Sequence, residues 1–250
     1  MLPLTMSEDR GAASALKGRL ADVYLPALVE GSLQALSRRL GNRATIDDPL
    51  FGRASTLSSI DPLLERFSNH FKGATYRHVA SATGVDRDVA EGVLVKDDHE
   101  TPIAVVAERR RLREIELRVY YASGQSERRS RAPVLEAVPD AAVPQVVLHV
   151  LDALRKGAVE RVLAAFEETS RFVDPTGKSF GKREGLMGNW VSDVGSRLQF
   201  APCGAADDGR NCCVEAVITR KPAGDPEPAA LTFERGDSGL LRELRLYYEP

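Results

Sequence analysis

One short string occurs twice, and the repetition limits what this chain can fold into. Ile46-Asp47-Asp48-Pro49-Leu50 recurs as Phe172-Val173-Asp174-Pro175-Thr176, 174 − 48 = 126 residues later in a chain of 250. Each copy reads as a short strand cut off by proline, which has no N–H to give a ladder. At the same offset Leu25, Ala27, Leu28 and Gly31 meet Leu151, Ala153, Leu154 and Gly157. Near the end of each half, Glu116-Leu117-Arg118-Val119-Tyr120-Tyr121 meets Glu243-Leu244-Arg245-Leu246-Tyr247-Tyr248 at an offset of 127. Anchors this far apart, with one residue of slippage, indicate one fold built twice and packed as an internal pseudo-dimer.

The chain read in order agrees. Leu16, Leu20, Val23, Tyr24, Ala27 and Leu28 form a helical stripe starting near Ala13, and Gly31 ends it in a left-handed turn. Leu33, Leu36 and Leu40 mark a second helix, and Ala44-Thr45-Ile46 a strand. Asp61-Pro62 reads as cap and first residue of a third helix carrying Leu63, Leu64, Phe67 and Phe71. Strands are expected at Thr75–Thr83, Val89–Lys96, Ile103–Arg109 and Arg113–Tyr121. The second half repeats the order: stripes through Val143–Leu154 and Val159–Phe166, a strand Arg171–Val173, a helix Lys182–Val194, then strands Leu198–Cys203, Asn211–Lys221, Ala229–Arg235 and Leu240–Tyr248. Helices first and a meander afterwards predict α+β halves with antiparallel sheets. The boundaries are a loose N-terminus at 1–12, a first domain at 13–122, a Ser/Arg/Pro-rich linker at 123–142 and a second domain at 143–250.

Composition excludes several classes. With 34 basic and 36 acidic residues, the chain has no field to recruit nucleic acid or an anionic membrane. The basic runs Glu108-Arg109-Arg110-Arg111-Leu112-Arg113 and Arg128-Arg129-Ser130-Arg131 lack interleaved aromatics; Glu114 and Glu116 are expected to pair with arginines across the first hairpin. No apolar run approaches the roughly 18 residues that cross a bilayer, and the N-terminus does not read as a signal peptide. Cys212 and Cys213 are adjacent on a strand, so they point to opposite faces; with Cys203 they read as reduced thiols, hence a cytoplasmic protein. No metal-ligand spacing, phosphate loop or Ser-His-Asp order is present, so neither metal nor cofactor is expected.

The segment Tyr24-Leu25-Pro26-Ala27-Leu28-Val29-Glu30-Gly31-Ser32-Leu33, followed by Ala44-Thr45-Ile46-Asp47-Asp48-Pro49, resembles the nuclear transport factor 2-like (SnoaL-like) family. The resemblance covers about 13–121 and 143–248. It implies two tandem cone-shaped domains, each with three N-terminal helices packed in a strongly curved antiparallel sheet, as an intrachain pseudo-dimer facing through the sheets. It also implies a pocket in each cone.

Among those relatives the ketosteroid isomerases pair a tyrosine on the first helix with the aspartate of the Asp-Pro step, and Tyr24 and Asp48 stand at that spacing. By that resemblance Asp48 is a proton-shuttling base and Tyr24 an oxyanion donor. The chemistry is sound, because a carboxylate in an apolar pocket can take a proton α to a carbonyl while a phenol holds the enolate oxygen. The family's second donor matches about Ala104 and Leu231, which cannot donate, and Val150 stands in Tyr24's place in the second half. Leu28, Phe67, His78, Asp174 and Trp190 are the expected ligand-lining residues. Asp48 and Asp174 also fit a purely structural role as turn aspartates, and Tyr24 fits the core. The reading is a monomeric small-molecule binder for an apolar or carbonyl-bearing ligand. The alternatives are an isomerase or lyase working through Asp48 and Tyr24, and a structural interaction domain.

Overall fold

The computed structural model describes residues 17–110, 114–122, 133–138, 142–182, 185–222 and 224–248. The expected loose N-terminus, the first turn of the first helical stripe, most of the linker and the Arg128–Arg131 cluster lie outside those residues.

The first half runs α1 (Leu20–Val29), α2 (Leu33–Leu40), β1 (Ala44–Asp48), β2 (Gly52–Ala54), α3 (Leu57–His70), β3 (Thr75–Thr83), β4 (Arg87–Lys96), β5 (His99–Arg109) and β6 (Ile115–Tyr121). The second runs α4 (Gln145–Arg155), α5 (Val159–Ala164), β7 (Phe166–Val173), β8 (Ser179–Gly181), α6 (Leu186–Arg197), β9 (Leu198–Asp207), β10 (Asn211–Arg220), β11 (Pro226–Arg235) and β12 (Leu241–Tyr247). Strand orders are β2-β1-β6-β5-β4-β3 and β8-β7-β12-β11-β10-β9, one order written twice. Each half has its own apolar core between helices and sheet.

The repeat reaches single hydrogen bonds. Gly31 (φ +75°) and Gly157 (φ +63°) both close a helix in the left-handed region, where a side chain would be strained. Ser32 N–H donates to Ala27 O at 2.8 Å, and Ala158 N–H donates to Ala153 O at 2.9 Å.

The structure refines several expectations. The meanders are antiparallel, but β1 and β7 join β6 and β12 in parallel, so each sheet is mixed. After each Asp-Pro step the chain turns back as β2 or β8, strands too short to show a period. Helix α3 starts at Leu57, before Asp61-Pro62, because Ser59 Oγ accepts the Thr56 N–H at 3.1 Å and caps it there. Asp61 instead accepts the Ser37 hydroxyl at 2.6 Å and ties α2 to α3. Phe166 opens β7 rather than closing α5. Helix α6 starts at Leu186 after a left-handed Gly185.

The two sheets face each other across a third apolar cluster: Ala82, Val89, Ala104, Val106, Tyr120 and Ala122 against Ala206, Cys213, Ala230 and Tyr247. Glu116, Arg118 and Tyr120 alternate along β6 with Leu117, Val119 and Tyr121, which face the first core. The first three are buried too, because the second half covers their face. As the strand parity required, Cys212 enters the second core and Cys213 the interface between halves.

Two buried carboxylates join the halves, and they are counterparts. Glu91 on β4 accepts Arg245 Nε and Nη2 at 2.7 and 2.9 Å, Tyr247 Oη at 2.7 Å and Thr232 Oγ1 at 2.6 Å. Glu215 on β10 accepts Arg118 Nε and Nη2 at 2.6 and 2.7 Å, Tyr120 Oη at 2.6 Å and Arg87 Nη1 at 3.0 Å. Burial by itself would raise both carboxyls. Arg245 outweighs it at Glu91, and Arg118 with Arg87 outweighs it at Glu215, so both are held below the ordinary carboxylate range.

Candidate functional site

Helix α1 places Tyr24 and Leu28 on its inner face, both fully buried. β1 ends at Asp48, which is 1 % exposed, and α3 brings Phe67 against them. Tyr24 and Phe67 meet edge to face with centroids 6.4 Å apart. From Phe67 the aromatic series continues to Phe51 (5.5 Å) and Phe71 (4.8 Å), and both touch the exposed His70. A run of rings thus leads from the buried phenol to the surface, and half-buried Phe51 is one of its outer members.

Asp48 is well supplied with donors. Its Oδ1 accepts the backbone N–H groups of Leu50 (2.7 Å) and Phe51 (3.1 Å), and its Oδ2 accepts the Tyr121 hydroxyl at 3.1 Å. The first two bonds are the Asx turn that the Asp-Pro step implies. The third comes from a residue that sequence reasoning missed, although Tyr121 lies on the inward parity of β6. Tyr24 differs: its hydroxyl is buried with no hydrogen-bond partner among the described residues. Burial, and then the charge of Asp48, push its pKa well up, so it stays a protonated donor.

The other expected lining residues are placed elsewhere. His78 is exposed on β3; its ring meets Ser81 Oγ at 2.8 Å, and Ser81 donates to Asp22 on α1 at 2.6 Å. Asp174 spends Oδ1 on its own turn, accepting Thr176 N (2.9 Å), Thr176 Oγ1 (2.6 Å) and Lys178 N (3.0 Å). Trp190 packs at a 51° tilt on Phe172, centroids 4.3 Å apart, against the second core, where Val150 is buried in Tyr24's place. In the basic run at the first hairpin, the described Arg110 pairs with Glu116 at 2.7 Å and Arg109 with Asp88 at 2.8 Å. Burial pushes Cys203 up to about 11 and Cys212 up to about 12, so both thiols stay protonated. Among the described residues no three His, Cys, Asp or Glu side chains gather as a metal site, and no helix is long and apolar enough to cross a membrane.

Three cavities lie away from Tyr24. One of about 450 Å³ separates α2 from α3, and one of about 310 Å³ lies along β1 and β2 beside Arg43, Arg53 and Arg110. A third of about 190 Å³ sits between the halves, floored by Gly92, Leu246 and Tyr247.

Strand order and helix placement make the chain an α+β protein of two tandem cone-shaped domains, forming an intrachain pseudo-dimer. No protein-family profile matches it, and no curated protein does. Solved structures similar to part of it include an NTF2-like protein from Cytophaga hutchinsonii, 18% identical over 42% of this chain and 88% of that one, TM-score 0.35. Another is a Catenulispora acidiphila protein with a ketosteroid isomerase-like fold, in complex with trimethylamine. It is 19% identical over 43% of this chain and 88% of that one, TM-score 0.38. The Anabaena orange carotenoid protein binding canthaxanthin is 16% identical over 48% of this chain and 42% of that one, TM-score 0.39.

Proposed function

We propose that the first domain binds a small, mainly apolar molecule bearing a carbonyl oxygen, and that Tyr24 donates the hydrogen bond that orients it. One observation carries this reading: the Tyr24 hydroxyl is buried, protonated and, among the described residues, without a partner. A buried donor left unmade costs about 1–3 kcal/mol, so its retention calls for an explanation. A ligand acceptor supplies one. Leu28, Phe67 and Phe51 supply the apolar contact, and the ligand enters by displacing Phe51, the half-buried ring of the series. His78 is proposed as a rim residue on the exposed strand, while Asp174 and Trp190 would serve only a separate site in the second domain.

The test is a titration of the full chain with para-fluoroacetophenone, followed by fluorine NMR. Saturable binding that weakens about tenfold in Tyr24→Phe, the worth of one hydrogen bond, is expected. No saturable shift, or equal affinity in the variant, would overturn the reading.

Proton transfer by Asp48 is the second reading, favoured by the charge that Tyr24 feels from it. Two backbone amides and Tyr121 already hold that carboxylate, which suits an anchored turn as well as a base. Exchange of the α-protons of cyclohexenone into deuterated water, lost in Asp48→Asn, would support it; exchange at the uncatalysed rate would remove it.

A further inference from the structure

The two carboxylate sites between the halves share their parts except at three positions, and the differences interlock. Strand registers equate Glu91 with Glu215, Ala104 with Ala230, and the Arg118–Tyr120 pair with Arg245–Tyr247. The same registers equate Arg87 with Asn211, Val106 with Thr232, and Ala80 with Gly204.

Arg87 is the second guanidinium on Glu215. It is buried, and it also lies 3.3 Å from Asp86 and 3.6 Å from Glu108. Its planar head rests on the bare α-carbon of Gly204. A Cβ there would come 2.7 Å from Arg87 Cζ and closer still to Nη1. The guanidinium is pinned by three carboxylates and cannot yield cheaply.

We propose that Arg87 and Gly204 are a size-matched lock, which commits each sheet to the unlike half and bars pairing between the first halves of two molecules. In such a like pair Glu91 would still find Arg118 and Tyr120 of the second copy, so the shared chemistry permits it. Arg87 of each copy, however, would meet the methyl of Ala80 where it now meets Gly204. Two second halves would lack the arginine altogether, because Asn211 stands in its place. Selectivity built from a clash against the wrong partner, added to a bond with the right one, is the general solution where two surfaces share a code.

Moving the gap tests this. Full chains carrying Ala80→Gly with Gly204→Ala, half of them isotope-labelled, are refolded together at high concentration and cross-linked. Mixed-isotope cross-links between the sheets of two first halves are expected for the variant, and at least tenfold fewer for the unaltered chain. Equal yields, or none in a folded variant, would overturn the proposal. If the variant does not fold, Arg87→Asn is added. Recovery of a folded chain then supports the lock, and continued failure contradicts it.

Discussion

Tyr24 and Asp48 show how far residue identity goes toward chemistry. Their spacing was legible, and so was the turn role of Asp48, because proline after aspartate forces a stop and the carboxylate then meets amides two and three residues on. The Tyr121 partner was not legible. A hydroxyl 73 residues away meets Asp48 only after β6 has paired in parallel with β1, a non-local event without a local signature. Tyr121→Phe removes a hydroxyl donor from a buried carboxylate, so the chain should lose about 1–2 kcal/mol in urea unfolding. Unchanged stability would mean that Asp48 does not need the Tyr121 hydroxyl. Phe51 was missed for a related reason: in sequence it is only the residue after a turn. Phe51→Ala should speed para-fluoroacetophenone entry, read from fluorine line shapes, while Phe67→Ala should cost about 3–5 kcal/mol of stability as a core truncation.

Elements were readable where the period was long, and misplaced where short-range chemistry competed. The meander strands fall where expected, because alternating apolar residues fix their parity. The start of α3 was misplaced because two N-terminal signals lie five residues apart, and Thr56 with Ser59 outcompetes Asp61-Pro62. Along β6, alternation reports only that two faces differ, not what covers either of them. The polar face here is buried against a carboxylate from the other half. A glutamate within the apolar run Val89-Ala90-Glu91-Gly92-Val93 was the available clue, since buried acids need cationic partners. Glu91→Gln removes the carboxylate that holds Arg245 across the halves and leaves it to Glu243 of its own strand at 3.2 Å, so it should cost about 3 kcal/mol in urea unfolding. A loss below 1 kcal/mol would show that the pair contributes little to joining the halves.

At the scale of the whole molecule, duplication explains why the halves are alike and their sites are not. The second half keeps the glycine-closed helix, the Asp-Pro turn and the inter-sheet carboxylate, all of which hold shape. It lacks the buried phenol: Val150 stands there, and Asp174 is occupied by its own turn. The second domain covers the outer face of the first sheet. Acid should part the halves. Glu91 and Glu215 titrate below their unfolded value of about 4.5, so their stabilisation is complete above that value and is lost as pH falls through the depressed native pKa. Melting temperature should therefore drop below pH about 4.5, and a profile flat to pH 3 would contradict the coupling. The claim on which the rest depends is that Tyr24 keeps a free hydroxyl for a ligand rather than for the fold. Equilibrium urea unfolding of ligand-free Tyr24→Phe measures it directly. The variant should be more stable by about 1 kcal/mol, because a buried unmade donor is removed. A variant less stable by the same amount would show that the hydroxyl already serves the fold, and would contradict the account.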